Sequence, residues 1–193
     1  MNRACWIKSS ALALMLMAGL SHAEDELVDG NYGLLHVHGA LTESACRLSM
    51  DSAWQDVDLG TTATGRLGKP GDRGTTVRIE IRLEDCLSSG TSVSDAWSGG
   101  LIWSQEQPSV TVSFVAVSEP FNPELVSVSG ASGFALRLND RLHRAVRVNS
   151  EGQPLLLDPG GNTLFYYLTP ERTAAPLVVG AWQALIHYRL HYD

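Results

Sequence analysis

Lysine is nearly missing from this chain. Its 193 residues hold two, Lys8 and Lys69, beside twelve arginines, and the formal net charge is −7. An acidic chain repels phosphate backbones, which argues against nucleic acid as a partner. Cysteine is scarce as well: Cys5, Cys46 and Cys86. No C-x-x-C pair occurs, so neither a zinc ribbon nor a redox dithiol is written into the chain. The G-x-S-x-G elbow, the phosphate loop and H-E-x-x-H are all absent. Asp140 near His143 comes nearest to an acid–base pair, and it reads as a solvated turn after Asn139. The expectation is therefore no enzyme, no cofactor and no small-molecule substrate. No stretch beyond the first residues carries the 3.6-residue periodicity of an amphipathic helix.

The one sustained apolar run lies near the start, Ala11 to Ala18, behind Arg3 and Lys8 and ahead of Ser21-His22-Ala23. A basic start, a short apolar core and small residues before a cut form a secretory signal, here residues 1–23. The run is too short to span a bilayer. Removing it leaves Glu24 to Asp193, a length suited to one domain, with 12 bases against 21 acids and a charge of −9. Cys5 leaves with the signal. Cys46 and Cys86 remain, an even pair in an oxidising compartment, and should form a disulfide.

What is present is alternation. From Gly180 to Asp193, the residues Trp182, Ala184, Ile186, Tyr188, Leu190 and Tyr192 form one apolar phase. Gln183, Leu185, His187, Arg189, His191 and Asp193 form a mostly polar one. Period two means a strand with one buried face. Two roles suit it: a terminal strand closing a sandwich, or a strand handled by a partner. Gly33 to Leu41 alternates too, with Leu35, Val37, Gly39 and Leu41 opposite His36 and His38. Glycine weakens a strand interior, so Gly39 marks either a bulge or a close approach by another molecule.

Further strands are predicted at Trp54 to Gly60, Thr75 to Cys86, Val110 to Val117, Phe134 to Leu138, Ala145 to Val148 and Thr163 to Leu168. Glu24 to Tyr32 reads as a flexible start, Thr61 to Gly74 as a loop and Ser88 to Gln107 as an exposed excursion. Short strands with frequent turn signals predict an all-β sandwich. His36 with His38, and His187 with His191, share strand faces, as metal ligands can. With no free cysteine and no carboxylate near them in sequence, they read as solvated faces, and no metal is expected.

These pieces resemble the type 1 fimbrial (chaperone–usher) pilin subunit family. The resemblance rests on Gly33-Leu34-Leu35-His36-Val37-His38-Gly39 seven residues before Cys46, on Cys86 ending Arg82-Leu83-Glu84-Asp85, and on the end of the chain. There Tyr192 is penultimate and Gly180 is fourteenth from the terminus. It covers essentially the whole exported chain. It implies an incomplete immunoglobulin-like sandwich, residues 46–193, that lacks its last strand and is completed by donor-strand complementation. Residues 24–45 would be the N-terminal extension, inserting Leu35, Val37, Gly39 and Leu41 into a neighbour. Gly180, Trp182, Ala184, Ile186, Tyr188, Leu190 and Tyr192 would meet a periplasmic pilus chaperone, before transfer to neighbouring subunits at an outer-membrane usher. The end point would be a fimbrium at the bacterial surface.

Cys46 to Gly60, with Ala53-Trp54-Gln55 inside it, is similar to the matching segment of the terminating, anchoring subunit of P pili. That subunit has a longer, aromatic and proline-rich start where Glu24 to Tyr32 is short and acidic. This finer likeness implies a minor or terminating role, with a major rod-forming subunit as the alternative. A tip adhesin would need a second, lectin domain, for which the exported length leaves no space.

Replacing both Cys46 and Cys86 by serine opens a loop that encloses 39 residues. The expected loss is about 4 kcal/mol of folding stability on the chain-entropy account, measured by urea denaturation against the oxidised parent.

Overall fold

The computed structural model describes residues 34–38 and 44–193. The chain forms two units, Met1–Leu41 and Thr42–Asp193. In the first, residues 34–38 form no helix or ladder, and Leu34, Leu35 and Val37 are exposed. The signal, the start of the extension, Gly33, Gly39 and Leu41 lie outside the described residues.

The second unit is a β-sandwich, as the alternation predicts. One sheet holds β1 (Arg47–Leu48), β2 (Val77–Cys86), β6 (Ser118–Glu119), β7 (Asn122–Val126), β8 (Phe134–Asn139) and β10 (Gly160–Arg172). Their order is β1-β2-β10-β8-β7-β6, and every pairing is antiparallel. The other holds β5 (Ser109–Ala116), β9 (Pro154–Leu156) and β11 (Ile186–Tyr192), in the order β11-β5-β9. β3 (Thr91–Ser94) and β4 (Leu101–Ser104) form a separate hairpin inside the predicted excursion. A single turn of helix, α1 (Met50–Ala53), follows β1.

The core lies between the two larger sheets. Ile81 and Leu83 of β2, Leu136 and Leu138 of β8, and Tyr166 and Leu168 of β10 meet Val110, Val112 and Phe114 of β5. Phe114 stands edge-on to Tyr166, with ring centres 4.7 Å apart, an arrangement that adds to simple area burial. Each of these side chains removes about 2 kcal/mol worth of apolar surface from water. Cys46 and Cys86 are bridged, joining the approach to β1 with the end of β2. The expected disulfide is present.

Three expectations need correction. Trp54 to Gly60 is not a strand: its backbone has no ladder partner. A space of about 550 Å³ separates its residues Gln55 to Asp58 from β2, and the amide of Gln55 bridges it to the Glu80 carbonyl at 2.9 Å. Ala145 to Val148 makes one isolated bridge, Ala145 to Asn139, because the carboxylate of Asp140 holds the turn before it. The final strand begins at Ile186 rather than Gly180. β10, by contrast, runs past the predicted Leu168 and through Pro170. The Pro170 carbonyl accepts from Gly74 at 2.8 Å, beyond the end of β2, so the missing proline N–H breaks no strand ladder.

At that end of β10 the Glu171 carboxylate is buried between two arginines. Arg137 of β8 donates to both its oxygens, at 2.5 and 2.7 Å, and Arg73 donates at 2.8 Å. Burial alone pushes this carboxyl up. Hydrogen bonds and charge from Arg137 and Arg73 outweigh it and hold the group below the usual range. The stabilisation is therefore present at neutral pH and lost as pH falls through the depressed folded value. Glu171→Gln should cost about 3 kcal/mol, because it leaves the Arg137 charge with only the more exposed Glu124 carboxylate, 3.7 Å away. Urea unfolding at pH 7 measures the loss, and the gap between variant and parent should narrow in acid.

Candidate functional site

The last strand of the smaller sheet has a neighbour on one side. β11 pairs with β5 in register from Ile186↔Ala116 to Tyr192↔Val110, and its far edge bounds that sheet. The first residues of β11, Ile186 to Tyr188, line an open cleft of about 980 Å³. One wall is Gly180 to Tyr188. The opposite wall is Ala53 to Thr62. The floor is core: Ile79, Ile81, Phe114, Leu136, Leu138 and Leu168.

Local sequence explains each wall. In β11 the predicted apolar phase does turn inward: Ile186, Tyr188, Leu190 and Tyr192 are half-buried, while His187, Arg189 and His191 are exposed. Trp182 and Ala184 continue that phase and pack against the core, Trp182 edge-on to Phe134 at 5.3 Å. None of these six is fully buried, which is what a sheet face covered on one flank only should show. The segment ahead of β11 is held away from β5 by bridges from Gln183 to Ser129 and from Val178 to Ser132. Gly180 backs onto Gly130 there, and a Cβ at Gly180 would come within 2.7 Å of the Gly130 carbonyl oxygen. That close approach requires glycine and fixes where the wall begins.

On the other wall, Val57 and Leu59 are half-buried while Trp54, Asp56 and Asp58 are exposed. The period of two persists without a strand. One side chain ties the two flanks: the Tyr188 hydroxyl donates to the carbonyl of Ser52, in α1. Burial pushes this hydroxyl up, so it stays protonated and able to donate at neutral pH.

Chemically the cleft combines an apolar floor and an open strand edge with a polar rim that includes Gln55, Asp56, Asp58, Thr61, Thr62 and His187. Among the described residues no three His, Cys, Asp or Glu side chains gather as a metal site. His191 lies 3.4 Å from Asp193, and His36 and His38 have ring centres 5.5 Å apart. An unpaired strand edge over an apolar trough is complementary to one thing, another extended chain. The sequence singled out β11 and marked Trp54 to Gly60 as a strand, which the structure shows as a cleft wall without a ladder. It gave no sign of the floor, whose residues come from four strands far apart in the chain, nor of the bond from Tyr188 to Ser52.

Known proteins resemble this chain in sequence and fold. A family model described as "Fimbrial protein" matches residues 35–193. Fimbria A protein of Serratia marcescens is 26% identical over 94% of this chain and 96% of its own length. Long polar fimbria protein A of Salmonella typhimurium is 25% identical over 97% and 98%. The PAP fimbrial minor pilin protein of Escherichia coli is 27% identical over 81% of this chain and 75% of its own. The crystal structure of the P pilus rod subunit superposes with a TM-score of 0.62 at 20% identity, covering 78% of this chain and all of that one. The fold is thus the immunoglobulin-like sandwich of chaperone–usher pilins.

Tyr188→Phe removes the one hydroxyl that spans the cleft. It should cost about 1 kcal/mol in urea denaturation and leave the β-sheet circular dichroism unchanged.

Proposed function

Because the chain belongs to the fimbrial protein family, we propose that it is a polymerising subunit, which accepts an extended strand from one neighbour and donates its own to another. It is a structural subunit of a chaperone–usher fimbria, a surface pilus of bacteria, and not an enzyme. The observation that carries the finer reading is the cleft beside β11, open from Gly180 to Tyr188 and floored by core side chains. The donor is residues 33–41 within the extension 24–45, freed for export by removal of 1–23. Its exposed Leu35 and Val37, and its Leu41, supply the apolar phase. Burying three such side chains yields about 2 kcal/mol each, and backbone pairing along the free edge adds to it.

Before a neighbour arrives, the same edge needs cover. A periplasmic chaperone strand alongside Gly180, Trp182, Ala184, Ile186, Tyr188, Leu190 and Tyr192 would provide it, until the outer-membrane usher brings the next subunit. The pilin domain in this reading is 46–193.

A terminating or anchoring minor subunit is the second reading. It is favoured by Ala53-Trp54-Gln55 in the cleft wall, where Trp54 is 84% exposed and poised beside the trough, and by the likeness to a minor pilin. Strand exchange separates the two. The chaperone-bound subunit is mixed with a peptide of residues 33–41 and followed by native mass spectrometry. A polymerising subunit exchanges chaperone for peptide one to one, and the Gly39→Val peptide exchanges at least tenfold more slowly. A subunit that keeps its chaperone against every fimbrial extension offered is a terminator.

A further inference from the structure

The β3–β4 hairpin stands outside both larger sheets, and one of its faces is uncovered. Ser92 lies across from Trp103, and Ser94 across from Leu101, so these four side chains share the outer face. Leu101 is 68% exposed and Trp103 61%. The other face rests on the domain. Thr91 is buried there with its hydroxyl 3.0 Å from that of Ser109, and Val93 and Ile102 are half-buried.

A two-stranded ribbon by itself is marginal in water, and here ties at the turn replace a third strand. The Asp95 carboxylate accepts from the Trp97 N–H at 2.9 Å and from the Ser98 hydroxyl at 2.6 Å. The Trp97 indole donates to the Glu151 carbonyl at 2.9 Å, and the Arg147 guanidinium lies over its ring. The outer face is thus presented on a fixed support.

Charge is missing from this surface. From Leu87 to Gln105 the one ionisable side chain is Asp95, and it is buried. The exported chain carries −9, so two copies repel over most of their surface and can meet at low cost here. β2 shows the opposite treatment. It pairs with β1 only at Leu83 and Glu84, and farther along it Glu80 is tied to Arg78 at 2.8 Å and to Arg82 at 2.9 Å. Charges of that kind keep a free edge from joining another chain. The hairpin has no such guard and no proline, and neither of its outer edges pairs with another described strand.

We propose that this face binds a second copy of the chain in a neighbouring fibre, Leu101 and Trp103 of one hairpin packing against those of the other. The same patch serves both copies, so the contact is two-fold. Its size decides its use. Leu101 and Trp103 together offer roughly 300 Å², well short of the about 800 Å² per partner of a stable pair. A single contact is therefore short-lived. A fibre presents the patch once per subunit, and contacts in series along two fibres gain through effective concentration. A lone soluble partner lacks that repetition, which points to another fibre of the same chain as the occupant. The contact rests on the polymerising role proposed for the chain.

The test uses fibres assembled from the full exported chain, as parent and as Leu101→Ser/Trp103→Ser. Both residues are exposed, so the variant should fold and assemble. Low-speed pelleting and negative-stain electron microscopy should show parent fibres in bundles, more so as salt screens their common charge. Variant fibres should run singly and pellet at least tenfold less. Phe121→Ser removes a comparably exposed side chain from the turn between β6 and β7 and should leave bundling unchanged. Ser92→Cys fibres treated with a short bis-maleimide should link position 92 of one copy to position 92 of another. Variant fibres that bundle like the parent, or bundles without that link, overturn the contact. Parent fibres that stay single also overturn it; if they retain a neutral saccharide that the variant loses, the occupant is a sugar. Single fibres leave the polymerising role standing, whereas the absence of any fibre refutes that role and this contact together.

Discussion

The far edge of β11 governs the rest of the molecule. Its N–H and C=O groups face a trough of core side chains, and no strand of the described chain lies against them. Buried backbone groups without partners are costly, and so is apolar surface left to water. A protein that retained both in its final state would be poorly stable and prone to associate. The cost vanishes when an extended segment of another chain is laid in the gap. On the proposed reading, a defect in the monomer becomes the bond of the polymer.

Other features keep the cleft open without letting the domain fall apart. The Cys46–Cys86 bridge anchors the start of one wall to the large sheet. Glu171 between Arg137 and Arg73 joins β10 to β8 and to the loop before β2. The hydroxyl of Tyr188 reaches Ser52 across the mouth. Gly130 and Gly180 touch back to back and hold the approach to β11 off its sheet. Each is local, and together they replace part of the rigidity that a resident strand would have given.

The alternation was legible wherever one face is buried and the other wet. β2, β5, β8 and β11 follow from it directly, because period two survives in their sequences. Trp54 to Gly60 reads as a strand from its apolar residues, and the absence of a ladder there was not legible, since pattern records which residues are apolar and not whether a neighbour exists. β7 and β9 escaped because they are short and contain or begin with proline. β10 was cut short because Pro170 looks like a strand end until Gly74 is placed beside it. The cleft floor is assembled from four strands, and no local signal carries such a long-range meeting. The family resemblance supplied that part of the expectation, and the open trough agrees with it.

The tryptophans of the domain are sorted by this architecture. Trp97 lies outside the trough lining, with the Arg147 guanidinium 4.4 Å from its ring centre and its indole N–H given to the Glu151 carbonyl. Trp103 is exposed on the β3–β4 hairpin. Trp54 and Trp182 line the trough itself. Two of the four indoles among the described residues thus border the gap, and the other two do not. Occupancy should be readable from the colour of intrinsic emission, with no dye attached.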